Sequence, residues 1–240
     1  MMCAVADFHS HILPGVDDGS KSIEESLDML RVEAEQGIPC VVATPHFYAH
    51  RDNLDRFLKR RSRAEQSLRS ALSKESGYPQ LVVGAEVYFF TGISESAALS
   101  KLGIGDSKYI LIEMPSPPWT DAMYRELGQI YNKQGMTPII AHIDRYISRF
   151  KKFGIPKKLE ALPVLVQANG EFFLDKSTSS MAMRMLRSGK IHLLGSDCHN
   201  LSDRKPNLAA AVSLIEKRLG ADPIQHIAKC GQSVLSDDEM

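Results

Sequence analysis

The sequence predicts an α/β barrel, and three observations carry that expectation. Seven short apolar runs alternate with segments of helical character, a pattern that calls for a parallel sheet. The runs are apolar at nearly every position, so their strands are expected to be buried on both faces. His, Asp and Glu residues gather at the C-terminal ends of those runs, which in α/β barrels is the catalytic face. The 240 residues suit one unit of this kind, read as a single domain over 1–240 without an internal repeat or linker.

The first run, Met2 to Phe8, is long enough for one strand and is closed by His9-Ser10-His11. Residues i and i+2 of a strand point to the same side, so both imidazoles can reach one metal ion. Pro14-Gly15 and Asp18-Gly19 mark a loop. Ser22 with Glu25 reads as a capping box that opens a helix to about Gln36, ended by Gly37. Cys40 to Thr44 is the second strand, followed by Pro45-His46. A basic helix then runs from Asn53 to about Lys74 and carries Arg56, Lys59, Arg60, Arg61, Arg63 and Arg69. A solvated face is the plainer reading of that run, and a docking face for an acidic or phosphorylated protein is the sharper one. Leu58, Ala64, Leu68 and Leu72 supply its apolar side.

Leu81 to Glu86 is the third strand and Tyr109 to Glu113 the fourth, each ending in an acid, with a short helical piece at Ser94 to Leu99 between them. Pro115, Pro117 and Pro118 force a loop before a helix from Asp121 to Gln134. Thr137 to His142 is the fifth strand and Val164 to Asn169 the sixth. A helix from Ser177 to Ser188 precedes the seventh, Ile191 to Asp197, which leads into Cys198-His199. Helices are expected over Leu208 to Leu219 and Pro223 to Lys229, and the tail Asp237-Asp238-Glu239 is expected to fray.

Twenty-nine basic residues cancel 29 acidic ones, so bulk charge does not point to nucleic acid. No apolar stretch approaches membrane-spanning length, and the four cysteines show no CxxC spacing. The expectation is a cytoplasmic protein with no nucleic-acid partner and no membrane insertion.

His9, His11, His46, Glu86, Glu113, His142, Asp197 and His199 all fall at strand C-termini. Imidazole and carboxylate together suit zinc, iron and manganese, with no thiolate required. One four-coordinate ion takes four ligands, so this set implies two or three ions sharing carboxylate bridges. Any one of these residues could be a buried hydrogen-bonded group instead; eight at one end of seven strands are not a coincidence.

The order His9-x-His11, Asp17-Asp18, His46, Glu86, Glu113, His142, Asp197-x-His199 resembles the polymerase and histidinol phosphatase (PHP) family. The match runs essentially from end to end. The strings His9-Ser10-His11-Ile12-Leu13-Pro14-Gly15-Val16-Asp17-Asp18-Gly19, Ala43-Thr44-Pro45-His46, His142-Ile143-Asp144-Arg145-Tyr146 and Ser196-Asp197-Cys198-His199-Asn200 resemble the subfamily of bacterial manganese-dependent tyrosine-protein phosphatases. Those enzymes act on kinases of capsule and exopolysaccharide synthesis. The resemblance implies a distorted seven-stranded, TIM-like (β/α)7 barrel with a multinuclear site. It implies one metal on His9, His11, Glu86 and Asp197, a second sharing Glu86 with Glu113 and His142, and a third on Asp18, His46 and His199. Asp17 is the weaker choice of the adjacent acids. Arg145 and Arg204 match two arginines that grip the phosphate, and with Asp197 they form the expected catalytic group. The implied cofactor is manganese, with iron or zinc as alternatives. The implied partner is a phosphotyrosine protein such as a bacterial tyrosine kinase tail, hydrolysed by metal-activated hydroxide without a covalent intermediate. Asp7 and Gln167 or Asn169 are candidates to orient ligands.

Three rival readings have distinct signatures. A histidinol phosphatase or other small-molecule phosphomonoesterase would share the barrel and differ in substrate. A metal-dependent amidohydrolase also opens with His-x-His, but usually bridges its metals with a modified lysine, and no lysine ends a strand here. A catalytically inactive scaffold barrel would have lost ligands, and none is missing. Cys198 to Arg204 also satisfies Cys-x5-Arg, the short signature of cysteine-dependent tyrosine phosphatases. Its five intervening residues contain no glycine, and a neighbouring carboxylate raises a thiol pKa. Cys198 is therefore expected to be a packing residue.

Overall fold

The computed structural model of the chain describes residues 5–147 and 154–237. It is an α/β fold built on parallel strands. The strands are β1 (Asp7–Ser10), β2 (Cys40–Ala43), β3 (His46–Phe47), β4 (Gln80–Val83), β5 (Glu86–Tyr88), β6 (Tyr109–Glu113), β7 (Thr137–Ile140), β8 (Leu165–Asn169) and β9 (Leu193–Gly195). Six of them form one sheet in the order β3-β5-β6-β7-β8-β9, and β1-β2-β4 form a second. The arrangement is a curled half-barrel of six strands beside a three-stranded sheet.

The sequence led us to expect seven strands in one ring. All seven apolar runs do become strands, but the second and third break in the middle. Thr44-Pro45 separates β2 from β3, and Gly84-Ala85 separates β4 from β5. Pro45 has no N–H for a ladder, and Gly84 packs against Gly103 and Ile104 where a Cβ would sit 3.2 Å from a carbonyl oxygen. Each break shifts the outer half of the run onto the six-stranded sheet. Strand β1 also meets the chain just past β9: Asp197 N–H donates to His9 O at 2.7 Å and His11 N–H to Cys198 O at 2.9 Å.

The helices are α1 (Ile23–Glu35), α2 (Leu54–Leu72), α3 (Asp121–Gln134), α4 (Ile143–Ile147), α5 (Ile155–Leu159), α6 (Gly170–Leu174), α7 (Ser179–Arg187), α8 (Leu208–Leu219) and α9 (Asp222–Ser236). Ser22 caps α1 by accepting from Glu25 N, while Glu25 reaches back to Lys21 N rather than to Ser22. The short helices α4, α5 and α6 carry too few residues for a readable period, which is why the sequence did not show them. The piece expected at Ser94 to Leu99 is two 3-10 turns, Ile93–Glu95 and Leu99–Lys101.

Apolar residues divide between two clusters. The larger packs helices against the outer strand faces. The smaller takes Phe8, Val42, Leu111, Ile139, Leu165 and Leu193 from successive strands, with Cys230 and Val234 of α9. Helix α9 runs well past the expected Lys229, because its Gly231 seats against the Phe8 ring, where a Cβ would meet a ring carbon at 2.7 Å. Asp237 at its end accepts from Lys108 N, whereas Asp238 and Glu239 of the expected frayed tail lie outside the described residues, as do Met2 to Ala4 of the first run. Among the described residues, no helix is long and apolar enough to cross a membrane.

Candidate metal centre

The strand ends bring the ligand-type residues together around Glu86. Its Oε2 lies 3.1 Å from His9 Nε2, 3.4 Å from His11 Nε2 and 3.0 Å from His46 Nδ1, and its Oε1 lies 2.8 Å from His142 Nε2. Asp197 Oδ1 adds a second carboxylate, 3.6 Å from His9 Nε2 and 3.5 Å from His11 Nε2. Glu113 stands 3.9 Å from His46 Nδ1 and 3.8 Å from His142 Nε2. On the other side Asp18 Oδ1 is 3.7 Å from His46 Nε2 and 3.5 Å from His199 Nε2. All nine ligands expected from the sequence therefore meet in one place.

Three sets of donor atoms within this centre are compact enough for an ion: His9, His11 and Glu86; His46, Glu86 and Glu113; and His11, Asp18, His46 and His199. These sets overlap the expected grouping without copying it. His46 turns Nδ1 to Glu86 and Nε2 to Asp18, so its ring faces two sets. His11 joins the set expected for Asp18, His46 and His199 alone.

Chemistry of the donor set fits a metal. His9 Nε2 and His11 Nε2 are 3.2 Å apart, close to the roughly 3.0–3.4 Å separating two ligands on one ion with bonds near 2.1 Å. Glu86 Oε2, Glu113 Oε2, His46 Nδ1 and His199 Nε2 are buried without hydrogen-bond partners while facing one another. Buried polar atoms of this kind are costly unless a cation satisfies them.

Charge in the centre keeps Glu86 and Asp197 ionised, whereas burial and the charge of Glu86 push Glu113 up. Burial alone would raise Glu86, but the charge of His9 and the close approach of the His11, His142 and His46 rings hold it well below the usual range. Asp197 is likewise pushed up by burial yet held well below by His9, His11 and Arg145. Burial lowers His199 to about 4, with the charge of His11 adding to the effect, so its ring is neutral and able to ligate.

Surrounding residues fix the ligands. Asp7 accepts from His9 N at 3.0 Å and from Ser196 N at 2.9 Å, tying β1 to the chain leading to Asp197. Gln167 Oε1 accepts from His142 N at 2.7 Å and lies 3.3 Å from His9 Nδ1. Asn169 Nδ2 donates to Asp197 Oδ2 at 3.0 Å, and Asn169 Oδ1 accepts from Gln167 Nε2. His142 and Asp197 both take positive φ, 32° and 55°. That strained conformation for a non-glycine residue turns each ligand off its strand and into the centre. Gly195 allows the approach: a Cβ there would lie 2.5 Å from His9 Cβ.

Arg145, in α4, and Arg204 both donate to Asp197, the latter at 2.7 Å. Their side chains are 41% and 35% exposed, against 16% or less for Glu86, Glu113, His142 and Asp197. The guanidiniums thus form the rim over a buried floor. Sequence reasoning missed Tyr146, whose hydroxyl accepts from Met114 N and whose ring packs against His142, and Tyr48, whose ring lies 5.1 Å from that of His46. No spacing rule marks either, although Tyr146 closes the quoted string that begins at His142 and Tyr48 lies two residues after His46.

A family model described as capsular polysaccharide synthesis, CpsB/CapC, matches residues 5–235. A tyrosine-protein phosphatase CpsB of Streptococcus pneumoniae is 30% identical over 230 residues, covering 90% of this chain and 91% of that protein. The tyrosine-protein phosphatase YwqE of Bacillus subtilis is 28% identical over 225 residues, covering 90% and 85%. A solved structure from work on YwqE of Bacillus subtilis and CpsB of Streptococcus pneumoniae, described as unique metal-dependent tyrosine phosphatases, superposes with a TM-score of 0.86 at 24% identity over 98% of this chain and 96% of the other.

Proposed function

The chain belongs to the capsular polysaccharide synthesis CpsB/CapC family, and from that premise we propose that it is a metal-dependent protein-tyrosine phosphatase. The observation that carries the reading is the juxtaposition of a floor of His and carboxylate donors around Glu86 with two guanidiniums at its rim. We assign His9, His11, Asp18, His46, Glu86, Glu113, His142, Asp197 and His199 as metal ligands, and Arg145 and Arg204 as phosphate clamps. Bound divalent metal supplies Lewis acidity and water activated at neutral pH. The chain's own residues do the rest. Arg145 and Arg204 offer fork-shaped donors to the phosphoryl oxygens, and Asp197 holds both forks in place. Phenolate leaves more readily than an alkoxide, so no protein acid has to protonate it. Manganese is the proposed metal over magnesium, because the set is rich in imidazole and magnesium favours oxygen ligands.

The finer architecture belongs to the same reading. Taking β2 with β3 and β4 with β5 as two bent strands gives seven positions, and the β1 hydrogen bonds to Asp197 and Cys198 support a ring in one catalytic domain. The proposed substrate is phosphotyrosine on a bacterial tyrosine kinase or a related cytoplasmic protein. Chelation should abolish turnover of a phosphotyrosine peptide, and manganese should restore it better than magnesium. Full activity after exhaustive chelation would sink the assignment. Faster turnover of histidinol phosphate than of the peptide would move the substrate to small phosphomonoesters.

A further inference from the structure

The basic run of α2 does not act as one patch. Arg61 donates to Gly84 O at 2.9 Å and Lys101 O at 3.0 Å, and Arg69 to Leu81 O at 3.0 Å, so these two bind the barrel wall. Arg56, Lys59, Arg60 and Arg63 follow the i, i+3, i+4, i+7 spacing of the opposite face. There, with Lys21, they line a cleft of about 640 Å³ between α2 and the start of α1. Five lining residues are cationic and none is acidic. Asp52 pairs with Arg60 at 2.6 Å, whereas no carboxylate among the described residues pairs with Arg56, Lys59 or Arg63. All three are exposed. Like charges on one helix face repel, so placing Arg56, Lys59 and Arg63 together works against the helix.

The cleft adjoins the loop that runs from β1 to the metal centre. Lys21 Nζ donates to Asp18 O at 2.8 Å, and Arg60 Nε to Val16 O at 3.0 Å. Both cations thereby hold the loop that carries Asp17, which backs His11, and Asp18, which faces the centre. Three residues of chain span at most about 11 Å, so Lys21 lies close to Asp18, and a peptide whose phosphotyrosine occupies the centre needs only a few residues to reach the cleft.

Building on the phosphatase reading above, we propose that this cleft is a specificity site for an acidic segment of the protein substrate flanking the scissile phosphotyrosine. Carboxylate or phosphorylated side chains of that segment pair with Arg56, Lys59 and Arg63. The site acts on recognition and leaves the chemical step unchanged.

The test compares a phosphotyrosine peptide with an Asp/Glu-rich flank and the same peptide with a Ser/Gly flank. It uses the triple variant Arg56→Glu, Lys59→Glu, Arg63→Glu and a control of equal charge change on other surfaces, Lys176→Glu, Arg187→Glu, Lys217→Glu. In the first variant KM for the acidic peptide should rise about tenfold at low salt, with kcat and turnover of p-nitrophenyl phosphate unchanged. The control should behave as wild type. Fluorescence anisotropy of the acidic peptide with phenylalanine in place of phosphotyrosine reads the cleft without catalysis. Its binding should weaken with salt and in the first variant only, whether or not the phosphatase reading holds. Equal KM changes for both peptides, equal effects in the control, or binding to phosphatidylglycerol vesicles in preference to the acidic peptide would each overturn the proposal.

Discussion

Asp17 Oδ2 lies 2.7 Å from His11 Nδ1, and the same oxygen accepts the backbone N–H of His46 at 2.9 Å. One carboxylate thus orients the His11 ring from outside its donor face and fixes the backbone that carries His46. Burial opposes its charge, but His11 outweighs burial and holds Asp17 below the usual carboxylate range, while burial's depression of His11 is likewise overcome by Asp17. Asp18, its neighbour, faces the centre and is largely exposed.

The adjacent acids should therefore fail differently. Asp17→Asn should leave every donor atom present yet lower metal affinity and kcat/KM by roughly 10–100-fold, because it releases the His11 ring. Asp18→Asn should lower metal content at the set shared with His46 and His199. Metal titration followed calorimetrically separates the two, and a wild-type affinity in Asp17→Asn would contradict the orienting role.

Glu86 and Arg145 make a second contrast. Glu86→Ala should lose metal together with activity, since this carboxylate meets four imidazoles. Arg145→Ala should keep metal and fold while kcat/KM falls on the order of 10²-fold, the scale of a lost charge-stabilising donor. Elemental analysis of both proteins checks this; full metal content in Glu86→Ala would remove its bridging role.

Cys198 should be dispensable for chemistry. Its side chain is fully buried, and burial together with Asp7 and Glu33 pushes the thiol well above its usual range. A thiol held protonated is a poor nucleophile. Cys198→Ser should retain most activity, alkylating reagents should inhibit little, and no phosphocysteine should be trapped. Inactive Cys198→Ser protein with normal metal content and fold would favour cysteine catalysis.

Behind the centre, the carboxyl of Glu33 in α1 stands beside the buried carboxyl of Asp7, with oxygens of the two within 4.8 Å, so a proton can be held between them. Burial first, then the charge of Asp7, pushes Glu33 up to about 10. A carboxyl raised on folding stabilises fully below its unfolded pKa near 4.5, and that stability is lost as pH rises toward 10. Glu33→Gln keeps a donor for Asp7 and has no proton to lose. Its Tm should match wild type near pH 5 and exceed it by about 3 °C or more at pH 9, followed by thermal melts across pH. Parallel melting curves for both proteins over that range would refute the shared proton.

Much of this was readable from sequence because it is local. Apolar runs, capping Ser22 and the helix period of α2 depend on neighbours within a few residues, and the strand ends named eight of the nine ligand-type residues, the ninth, Asp18, coming from the family resemblance. What the chain order could not decide is which atoms meet. His46 faces two donor sets, Asp17 sits behind its neighbour, and Glu33 reaches Asp7 through packing between elements distant in sequence. Breaks at Pro45 and Gly84 divide two expected strands between sheets, a consequence of a missing N–H and of a close backbone approach. The same holds for the basic helix: its composition is plain in the sequence, but only the barrel wall beside Arg61 and Arg69 separates the cations that anchor α2 from those left facing the cleft. Local periodicity determines elements; convergence of side chains is decided by the curl of the sheet and by the positive φ of His142 and Asp197, which no pairwise spacing encodes.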